Sequence, residues 1–326
     1  MSQLLKLAEK FNCFYLSAQN WKYFIAPALK DECRPFIVEG YQVGLIRSNV
    51  VTHLLKYPEV FRVTNDFVEL NPAFRDYEER SAKIDDVLRK IKKENVFEVL
   101  NGWREECYEV KVEFAGEKVM KMERAATSLF GIKKYGVSIN GYVRDPNRGL
   151  CIWLQQRSST KQTWPDKWDN MVSGGFSVGY GIRETAQKEA GEEASVPDSI
   201  LKNMISAGSV SFFYESSLIG LYANTEFVFD LELPLNFVPI NADGEVQKFE
   251  LLSANECIER IISPEFKITS APVILDFLIR KGVITPENEP NYLRLIELLH
   301  VPLQSFYKRP SSKQNGTCAK IPDYNT

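Results

Sequence analysis

Residues 174–196 read GGFSVGYGIRETAQKEAGEEASV, and the most informative charges of the chain lie within them. Two adjacent glycines open the stretch, which favours a tight backbone turn and the close approach of a ligand where a Cβ would obstruct it. A helix is predicted from about Ile182. On that helix Glu189, Glu192 and Glu193 stand at i, i+3 and i+4, so their carboxylates share one sector of about 100°. This spacing indicates either a divalent metal site or a solvated acidic face.

A longer pattern surrounds the three glutamates. With Gly174 at its first position, Lys188-Glu189 and Glu192-Glu193 follow at the spacing of an Arg-Glu pair and a Glu-Glu pair across a loop, a helix and a loop. This segment resembles a Nudix box. In that family the three glutamates bear the metal, so the resemblance implies Mg²⁺ or Mn²⁺ as cofactor, with Glu192 or Glu193 doubling as the catalytic base.

Three positions depart from the general Nudix pattern. Tyr180 stands where the box has an early glutamate, Lys188 replaces the arginine, and Ser195 replaces the late glycine. In the branch that this chain resembles, a displaced box with a glutamate such as Glu184 is usual. A salt bridge between Glu184 and Lys188, at i+4, is the structural alternative.

Sequence on both sides of the box narrows the resemblance to one branch of the family. Seven runs carry it: YQVGLIRSNVVTHLLKYPEVFRV (41–63), VLNGWREECYEV (99–110), GVSINGYV (136–143), RSSTKQTWPDKWDNMVSGG (157–175), KEAGEEASVP (188–197), DGEVQKFELL (243–252) and ITPENEPNY (284–292). They are similar to a Nudix branch with an extra N-terminal domain, related to the module fused to thiamine pyrophosphokinase in some fungi. The resemblance implies a pyrophosphohydrolase that cleaves thiamine-diphosphate-like substrates, notably damaged or oxidised forms, to the monophosphate and phosphate.

A fourth carboxylate is expected at the metal site. The resemblance places Glu245, in the sequence Asp243-Gly-Glu-Val, in a late loop that faces the metal. Because Asp-Gly pairs form turns on their own, Glu245 is equally well explained as a turn residue. The expected metal ligands are Glu189, Glu192, Glu193 and Glu245.

Basic and aromatic residues lie between a predicted strand and the glycine pair. The basic residues suit the phosphate end of a substrate, and the aromatic residues suit its organic end. Arg157 and Lys161 either bind phosphate, as a bidentate fork and a point charge, or remain solvated loop charges. Trp164, Trp168 and Asn170 either hold a flat organic ring, by stacking or cation–π attraction, or anchor the loop. The set expected to contact the substrate is Arg157, Lys161, Trp164, Gly174 and Gly175.

Hydrophobic periodicity divides the chain into two domains. Residues 1–132 combine a hairpin around Gly40, a helix after Ser48 and a long helix between about 74 and 99, which indicates an α+β accessory domain. Residues 133–303 alternate strands with the glutamate helix and late helices, which predicts an α/β (α+β) fold, and the resemblance implies a Nudix α/β/α sandwich. Residues 304–326 are polar with two prolines and are expected to form a disordered tail.

The N-terminal domain is expected to recognise substrate without taking part in cleavage. No cluster of phosphate-binding groups is evident before Lys133. Aromatic residues such as Trp21, Phe24 and Trp103 can cover a flat ring at an interdomain cleft, which predicts selection of the organic end of the substrate. For Trp103 the alternative is a role as a core anchor.

Composition restricts the partners. The 326 residues carry a formal net charge of −3 and 44% hydrophobic residues, which suits well-formed cores and gives no general attraction to nucleic acid or membranes. The six cysteines form no C-x-x-C pair, so reduced thiols in a cytoplasmic protein are expected. No run resembles a secretory or transmembrane segment. A small-molecule diphosphate is the expected partner, and the oligomeric state is left open.

Three other functions are compatible with these residues. The departures at Tyr180, Lys188 and Ser195 allow a catalytically silent Nudix-fold binding module. A nucleoside-diphosphate derivative is an alternative substrate, because no residue identifies a thiamine ring. Isoprenoid-type diphosphate isomerisation requires a reactive cysteine near the substrate, and Cys151 lies within a predicted strand.

Overall fold

A four-stranded mixed sheet forms the framework of the N-terminal domain. The computed structural model describes residues 2–19, 33–176 and 179–307. The strands of this sheet are β1 (Cys33–Val38), β2 (Tyr41–Arg47), β3 (Phe61–Val63) and β4 (Val68–Leu70). They lie in the order β2-β1-β4-β3, with β1 parallel to β4 and the other neighbours antiparallel. The predicted hairpin is confirmed, because Gly40 adopts a φ of 78° in the tight turn between β1 and β2.

Helices and a two-stranded sheet complete the N-terminal part of the chain. The helices are α1 (Gln3–Phe11), α2 (Cys13–Gln19), α3 (Ser48–Leu54) and α4 (Tyr77–Glu94), and the paired strands are β5 (Cys107–Lys111) and β6 (Lys118–Glu123). Asp76 caps α4 by accepting a hydrogen bond from the Glu79 amide, and Asn95 ends it in a left-handed conformation. The predicted long helix is therefore present but shorter at both ends. Its buried face, including Ile84, shares a core with Phe36 of the four-stranded sheet.

A seven-stranded sheet is the centre of the second domain. Its strands are β7 (Lys134–Asp145), β8 (Gly149–Arg157), β9 (Trp168–Asn170), β10 (Val172–Gly175), β11 (Ile205–Ser216), β12 (Gly220–Glu232) and β13 (Val246–Ser253). Five of them lie in the order β11-β12-β7-β8-β13, while β10 pairs with β7 and β9 pairs with β8. Strand β12 is parallel to β7, and the other pairs are antiparallel.

Helices cover both faces of this sheet. They are α5 (Ile182–Ala194), α6 (Asp198–Leu201), α7 (Ala254–Ile262), α8 (Ala271–Arg280), α9 (Tyr292–Leu299) and α10 (Leu303–Phe306). Along β8 the side chains alternate, so that Ile152 joins the core shared with α8 and α9, whereas Trp153 joins the core shared with α5. The second domain is thus an α/β/α sandwich, which confirms the predicted fold class. In the described ranges no helix is long and apolar enough to cross a bilayer.

The first helix packs in the core of the second domain. Leu4 and Phe11 lie in the same hydrophobic cluster as residues of α8 and α9. Asn12 extends the contact, because its side-chain amide donates to the Leu298 carbonyl at 2.6 Å and its side-chain oxygen accepts from the Phe213 amide at 3.0 Å. Sequence order counts this helix within the expected accessory domain, residues 1–132, whereas its contacts are with the sandwich.

The last described residues join the two domains. Tyr307, after α10, is buried, and its hydroxyl donates to the Gly131 carbonyl at 2.5 Å. The side-chain oxygen of Gln304 accepts from the Lys133 ammonium at 3.1 Å. Residues 304–307 are therefore packed although the sequence predicts a polar tail from residue 304, and residues 308–326 lie outside the described part of the chain.

Candidate active site

Local contacts fix both ends of helix α5, which carries the glutamates. The helix begins at Ile182, as predicted. The Glu184 carboxylate accepts a hydrogen bond from the Gly181 amide at 2.9 Å, which satisfies a free amide at the helix start. Ser195 ends the helix with a left-handed φ of 50°, and its hydroxyl donates to the Ile240 carbonyl at 2.8 Å. Glu184 is thus a capping residue, and Ser195 occupies a position that favours glycine.

Glu193 is the most deeply buried of the three glutamates. It is 2% exposed, and its carboxylate accepts hydrogen bonds from the Ser173 amide at 2.9 Å and the Gln155 side chain at 3.2 Å. Burial, together with the nearby carboxylates of Glu189 and Asp169, raises the pKa of Glu193 to about 8. The negative charge of Glu193 is therefore poorly compensated, and a cation beside it would stabilise the ionised form.

Glu189 lies against the first of the two glycines. A Cβ on Gly174 would overlap the carboxyl carbon of Glu189, so this glycine makes room for a side chain of the protein itself. The Glu189 side chain is 17% exposed and lines the cleft described below. Burial raises the pKa of Glu189, while the neighbouring Lys188 opposes the rise. Gly174 therefore positions a carboxylate, which the sequence pattern alone does not show.

Lysines accompany the two remaining carboxylates. The Lys188 ammonium lies 2.7 Å from Glu192 and 3.9 Å from Glu189, and the Lys161 ammonium forms an ion pair with Glu245. Glu192 is more exposed than Glu189 and Glu193, at 48% of its side chain. Within the described ranges, no three His, Cys, Asp or Glu side chains converge closely enough to enclose a metal ion. The four predicted ligands are thus brought to one region, with lysines between them.

The chemistry of this donor set fits a hard divalent cation. Carboxylate oxygens are the ligands that Mg²⁺ and Mn²⁺ prefer. The raised pKa values of Glu189 and Glu193 show that burial leaves their charges poorly compensated. Cation binding by all four carboxylates would require Lys188 and Lys161 to release Glu192 and Glu245. Metal ligation by these residues stays a prediction.

Arg157 holds the loop that follows β8. Its guanidinium donates to the Thr163 and Trp164 carbonyls at 3.0 Å and 3.1 Å, and it pairs with the buried Asp169 at 3.1 Å. Lys267 pairs with the same carboxylate at 2.8 Å. Burial opposes ionisation of Asp169, but Lys267 and Arg157 outweigh it and hold the pKa below the usual range. Arg157 is thus engaged by the loop, and phosphate binding by this residue stays a prediction.

The other residues of the loop divide between the cleft and the core. Lys161 and Trp164 line the cleft, and burial lowers the pKa of Lys161 to about 8. Trp168 belongs to the core of the sandwich, with the Arg260 guanidinium 4.1 Å from its ring centroid. Asn170 is fully buried in β9. Trp168 therefore anchors the loop, which was the structural alternative for the tryptophans, and neither Trp168 nor Asn170 lines the cleft.

A cleft of about 780 Å³ opens between the two domains, beside helix α5. Its sandwich side includes the predicted Glu189, Glu192, Glu245, Lys161, Gly174 and Gly175. Its N-terminal side includes Trp103, Arg104, Glu106, Tyr108 and Arg124. The sequence indicated no phosphate-binding cluster before Lys133, whereas the cleft also includes charged residues of the N-terminal domain. The run 99–110 offered a signal, since it resembles the branch and holds four of these five residues, whereas Trp21 and Phe24 lie outside the described ranges.

The side chain of Tyr108, in the N-terminal domain, lies against Gly175, the second glycine of the pair. A Cβ on Gly175 would overlap the Tyr108 hydroxyl. The Arg124 guanidinium lies 5.4 Å from the centroid of the Tyr108 ring and pairs with Glu106 at 2.9 Å. Burial raises the pKa of Tyr108, so its hydroxyl is neutral at physiological pH. Gly175 is therefore the point at which the N-terminal domain reaches strand β10.

Two charged residues of the sheet also line the cleft, the buried Lys134 and the half-buried Glu226, and no sequence pattern singles them out. The ammonium of Lys134, at the start of β7, lies 4.1 Å from the Tyr222 ring centroid, and burial lowers its pKa to about 7. Glu226, in β12, accepts hydrogen bonds from Ser138 at 3.2 Å and Asn224 at 2.6 Å, and burial raises its pKa to about 7. For a charged residue within a strand, the sequence alone does not show whether its side chain faces the cleft or the solvent.

Family comparisons assign both parts of the chain. Residues 3–134 match a domain of unknown function, DUF4743, and residues 134–274 match the NUDIX domain. The uncharacterized protein YJR142W of Saccharomyces cerevisiae is 40% identical over 80% of this chain and 81% of its own length. Nudix hydrolase 20, a chloroplastic protein of Arabidopsis thaliana, is 34% identical over 81% of this chain and 72% of its own. The chain belongs to the Nudix hydrolase family.

As a Nudix hydrolase, the protein is an enzyme that acts on diphosphates, and enzymes of the family generally use divalent metal ions. The Nudix match includes helix α5 with its glutamates, and the DUF4743 match includes Arg104, Tyr108 and Arg124. Among solved structures, an Ap4A hydrolase of C. elegans is similar over 46% of this chain and 99% of its own, at 16% identity and a TM-score of 0.35. The cleft of this Nudix hydrolase is thus built from both matched domains.

Proposed function

We propose that the protein is a metal-dependent pyrophosphohydrolase of a small organic diphosphate, with thiamine diphosphate and its damaged or oxidised forms as the substrate class. The products are the monophosphate and phosphate. The observation that carries the proposal is the interdomain cleft, where carboxylates, cations and aromatic rings meet. In a diphosphate attached to a flat ring, the phosphates can bind the cations and a metal held by the carboxylates, and the ring can stack on the aromatic side chains.

The carboxylates of the cleft support cleavage of a phosphoanhydride bond. A divalent cation, when bound, neutralises phosphate charge and lowers the pKa of a water molecule. Glu189, Glu192, Glu193 and Glu245 would hold that cation. We assign the role of general base to Glu192, because it lines the cleft and is exposed, whereas Glu193 is buried and accepts two protein hydrogen bonds.

Aromatic rings in the same cleft support binding of a flat organic group. Trp103, Tyr108, Trp164 and Tyr222 contribute to its lining. A heterocycle gains by stacking on such rings, and a positively charged thiazolium gains further from their π faces. The branch that the sequence resembles points to the same substrate class. Nucleoside-diphosphate derivatives share the flat ring and the diphosphate, and they are the alternative.

Phosphate release from a panel of diphosphates tests the substrate class. The full chain would be incubated with intact and oxidised thiamine diphosphates and with nucleoside-diphosphate derivatives, each with Mg²⁺ or Mn²⁺. We expect the highest kcat/KM for a thiamine-type substrate and no release after the metal is removed with a chelator. Faster cleavage of the nucleotide derivatives would reassign the substrate, and release without metal would contradict the proposed chemistry.

The helix carboxylates supply the first mutational prediction. Glu192→Gln and Glu193→Gln should each lower kcat by a factor on the order of 10² or more, because charge neutralisation and activation of water both depend on them. Steady-state kinetics at several Mg²⁺ concentrations measures the effect. Glu78→Gln, an exposed glutamate of α4, is the matched control and should retain the wild-type rate. Wild-type rates and metal response in both active-site variants would exclude α5 as the catalytic site.

The lysine pairs would suit a binding module without catalytic activity, an alternative against which membership of the Nudix hydrolase family weighs. Lys188 and Lys161 already compensate Glu192 and Glu245, so two predicted ligands are neutralised without metal. In that case the protein would bind diphosphates and release no phosphate at any metal concentration. Isomerase chemistry has less support, because Cys151 is fully buried in the sandwich core and burial raises its pKa.

The cysteines support a reducing compartment, such as the cytoplasm. Cys13, Cys33, Cys107, Cys151 and Cys257, which are the cysteines in the described ranges, are all free thiols. Disulfides are rare where glutathione and thioredoxin keep thiols reduced. Localisation of a fluorescently tagged full-length chain tests this assignment.

A further inference from the structure

Arg104 and Lys134 line the cleft without a carboxylate partner among the described residues. The other buried or half-buried cations of the cleft each form an ion pair. The Arg104 side chain donates one long hydrogen bond, to the Thr163 hydroxyl at 3.4 Å. The Lys134 ammonium has the ring of Tyr222 as its neighbour, at 4.1 Å. Within the described ranges neither cation forms an ion pair, and for Arg104 the nearby Glu106 supplies only a longer-range attraction.

Keeping these charges without an anion costs folding free energy. Lys134 is 7% exposed, and a buried ammonium loses its hydration. Burial lowers the pKa of both Arg104 and Lys134, and the nearby Arg124 lowers both further. Glu226, a carboxylate in the same cleft, bonds to Ser138 and Asn224 instead. A bound anion would supply the missing compensation.

The two residues flank the part of the cleft that lies beside the glycine pair. Strand β7 pairs with β10 so that Gly136 is opposite Gly175, and Lys134 is two residues before Gly136 on the same strand. Arg104 approaches from the N-terminal domain and contacts Thr163 in the loop that Arg157 holds. Both residues line the same cleft as Glu189 and Glu192.

We propose that Arg104 and Lys134 bind the phosphate groups of the substrate, so that the phosphate site is completed by the N-terminal domain. The inference rests on the proposed diphosphate hydrolase function and deepens it. A guanidinium offers a bidentate fork to phosphate oxygens, and an ammonium offers a point charge. The carboxylates of α5 repel phosphate, so a diphosphate needs cations in addition to the metal.

Binding of inorganic pyrophosphate to the full-length protein tests the proposal directly. Calorimetric titration, with and without Mg²⁺, would compare the wild type with Arg104→Gln and Lys134→Met. Each substitution should weaken pyrophosphate binding by about tenfold or more, because one charge-assisted contact is lost. For the diphosphate that the wild type cleaves fastest, both variants should show a raised KM with a smaller change in kcat. Lys134→Arg should retain much of the binding.

Matched controls separate this role from a structural one. Arg75→Gln and Lys202→Met change exposed residues away from the cleft and should bind pyrophosphate as the wild type does. If Lys134 served the fold alone, Lys134→Met would lower the melting temperature and leave pyrophosphate affinity unchanged. A phosphate-binding lysine predicts the reverse, with an equal or higher melting temperature and weaker binding.

The outcomes distinguish this proposal from the proposed function. Wild-type pyrophosphate affinity and KM in both variants, in a protein that cleaves diphosphates, would overturn the role of Arg104 and Lys134 alone. A wild-type protein that neither cleaves diphosphates nor binds pyrophosphate would overturn the proposed function, and this inference with it.

Discussion

Gly174 matters because Glu189 occupies the space where a Cβ would lie. The substitution Gly174→Ala must push the carboxylate of Glu189 aside, since the added methyl group overlaps it. We expect activity to fall by about 10- to 100-fold, the range typical when a group that orients a metal ligand is changed. The melting temperature should change little, because the end of a flexible side chain is what moves. Measurement of kcat/KM against Mg²⁺ concentration, with thermal unfolding, checks both parts.

Gly191 provides the matched control for this substitution. Gly191 lies on helix α5 with the glutamates, yet a Cβ there would meet nothing within 4 Å. Gly191→Ala should add up to about 1 kcal/mol to the free energy of unfolding, because alanine favours a helix interior. Its activity should match the wild type. If Gly174→Ala also had wild-type kinetics, the position of the Glu189 carboxylate would not matter for catalysis.

At this scale the sequence predicts residue types and spacing but not neighbours. The spacing of Glu189, Glu192 and Glu193 follows from helix geometry, and the structure places the helix start at the predicted residue. The glycines were expected to admit a ligand, whereas the structure sets Glu189 and Tyr108 against them. Tyr108 comes from another domain, and no local pattern links it to Gly175.

The loop between β8 and β9 depends on Arg157. The substitution Arg157→Met removes two hydrogen bonds to loop carbonyls and half of the buried pairing of Asp169. We expect a loss of about 3 kcal/mol in the free energy of unfolding, at the low end for a broken buried ion pair because Lys267 remains. Denaturant unfolding measures this loss, and KM should rise as the loop moves.

A second variant shows whether the effect belongs to the loop. Arg183, exposed on helix α5, is the matched control, and Arg183→Met should change the free energy of unfolding by no more than about 0.5 kcal/mol. If Arg157 acted only as a phosphate ligand, Arg157→Met would raise KM and leave the free energy of unfolding unchanged.

Secondary-structure elements were predicted more securely than this loop. The sequence Ser253-Ala-Asn-Glu256 has the pattern of a capping box, which the structure contains, and Asp145 accepts hydrogen bonds from the amides of Asn147 and Arg148 in the hairpin turn between β7 and β8. These signals are local, because each joins residues within four positions. The contacts of Arg157 depend on Asp169 and Lys267, which only the folded sheet brings together. Without knowledge of those partners, the sequence shows Arg157 only as a charge next to a loop, which suggested phosphate binding.

The packing of α1 ties the start of the chain to the catalytic domain. Phe11 is fully buried in the core that α8 and α9 share with the sheet. Phe11→Ala should therefore lower the free energy of unfolding by about 3–5 kcal/mol, the usual cost of removing a buried aromatic side chain. Denaturant unfolding, followed by the fluorescence of the tryptophans in the sandwich, measures this change.

Leu55 serves as the control for this prediction. More than half of its surface is exposed, at 56%, so Leu55→Ala should change the free energy of unfolding by about 0.5 kcal/mol or less. If α1 were a peripheral attachment, Phe11→Ala would cost no more than Leu55→Ala.

At the scale of the molecule, sequence order is a poor guide to which parts touch. Periodicity and the resemblance gave the sandwich and an additional N-terminal domain, and both are present. They did not show that α1 packs on the sandwich or that Arg104 and Arg124 enter the same cleft as the glutamates. Such contacts join residues far apart in the chain, and a single sequence carries no direct record of them.

The position of α1 also restricts when this enzyme can finish folding. On the ribosome, α1 emerges before any strand of the sandwich has been made, and its partners α8 and α9 extend to Leu299. Its apolar face stays uncovered until α8 and α9 have been made, which makes it a natural site for chaperones on the nascent chain. Contacts that span so much of the sequence also slow folding. The core of the sandwich is therefore completed only after α9 has been synthesised.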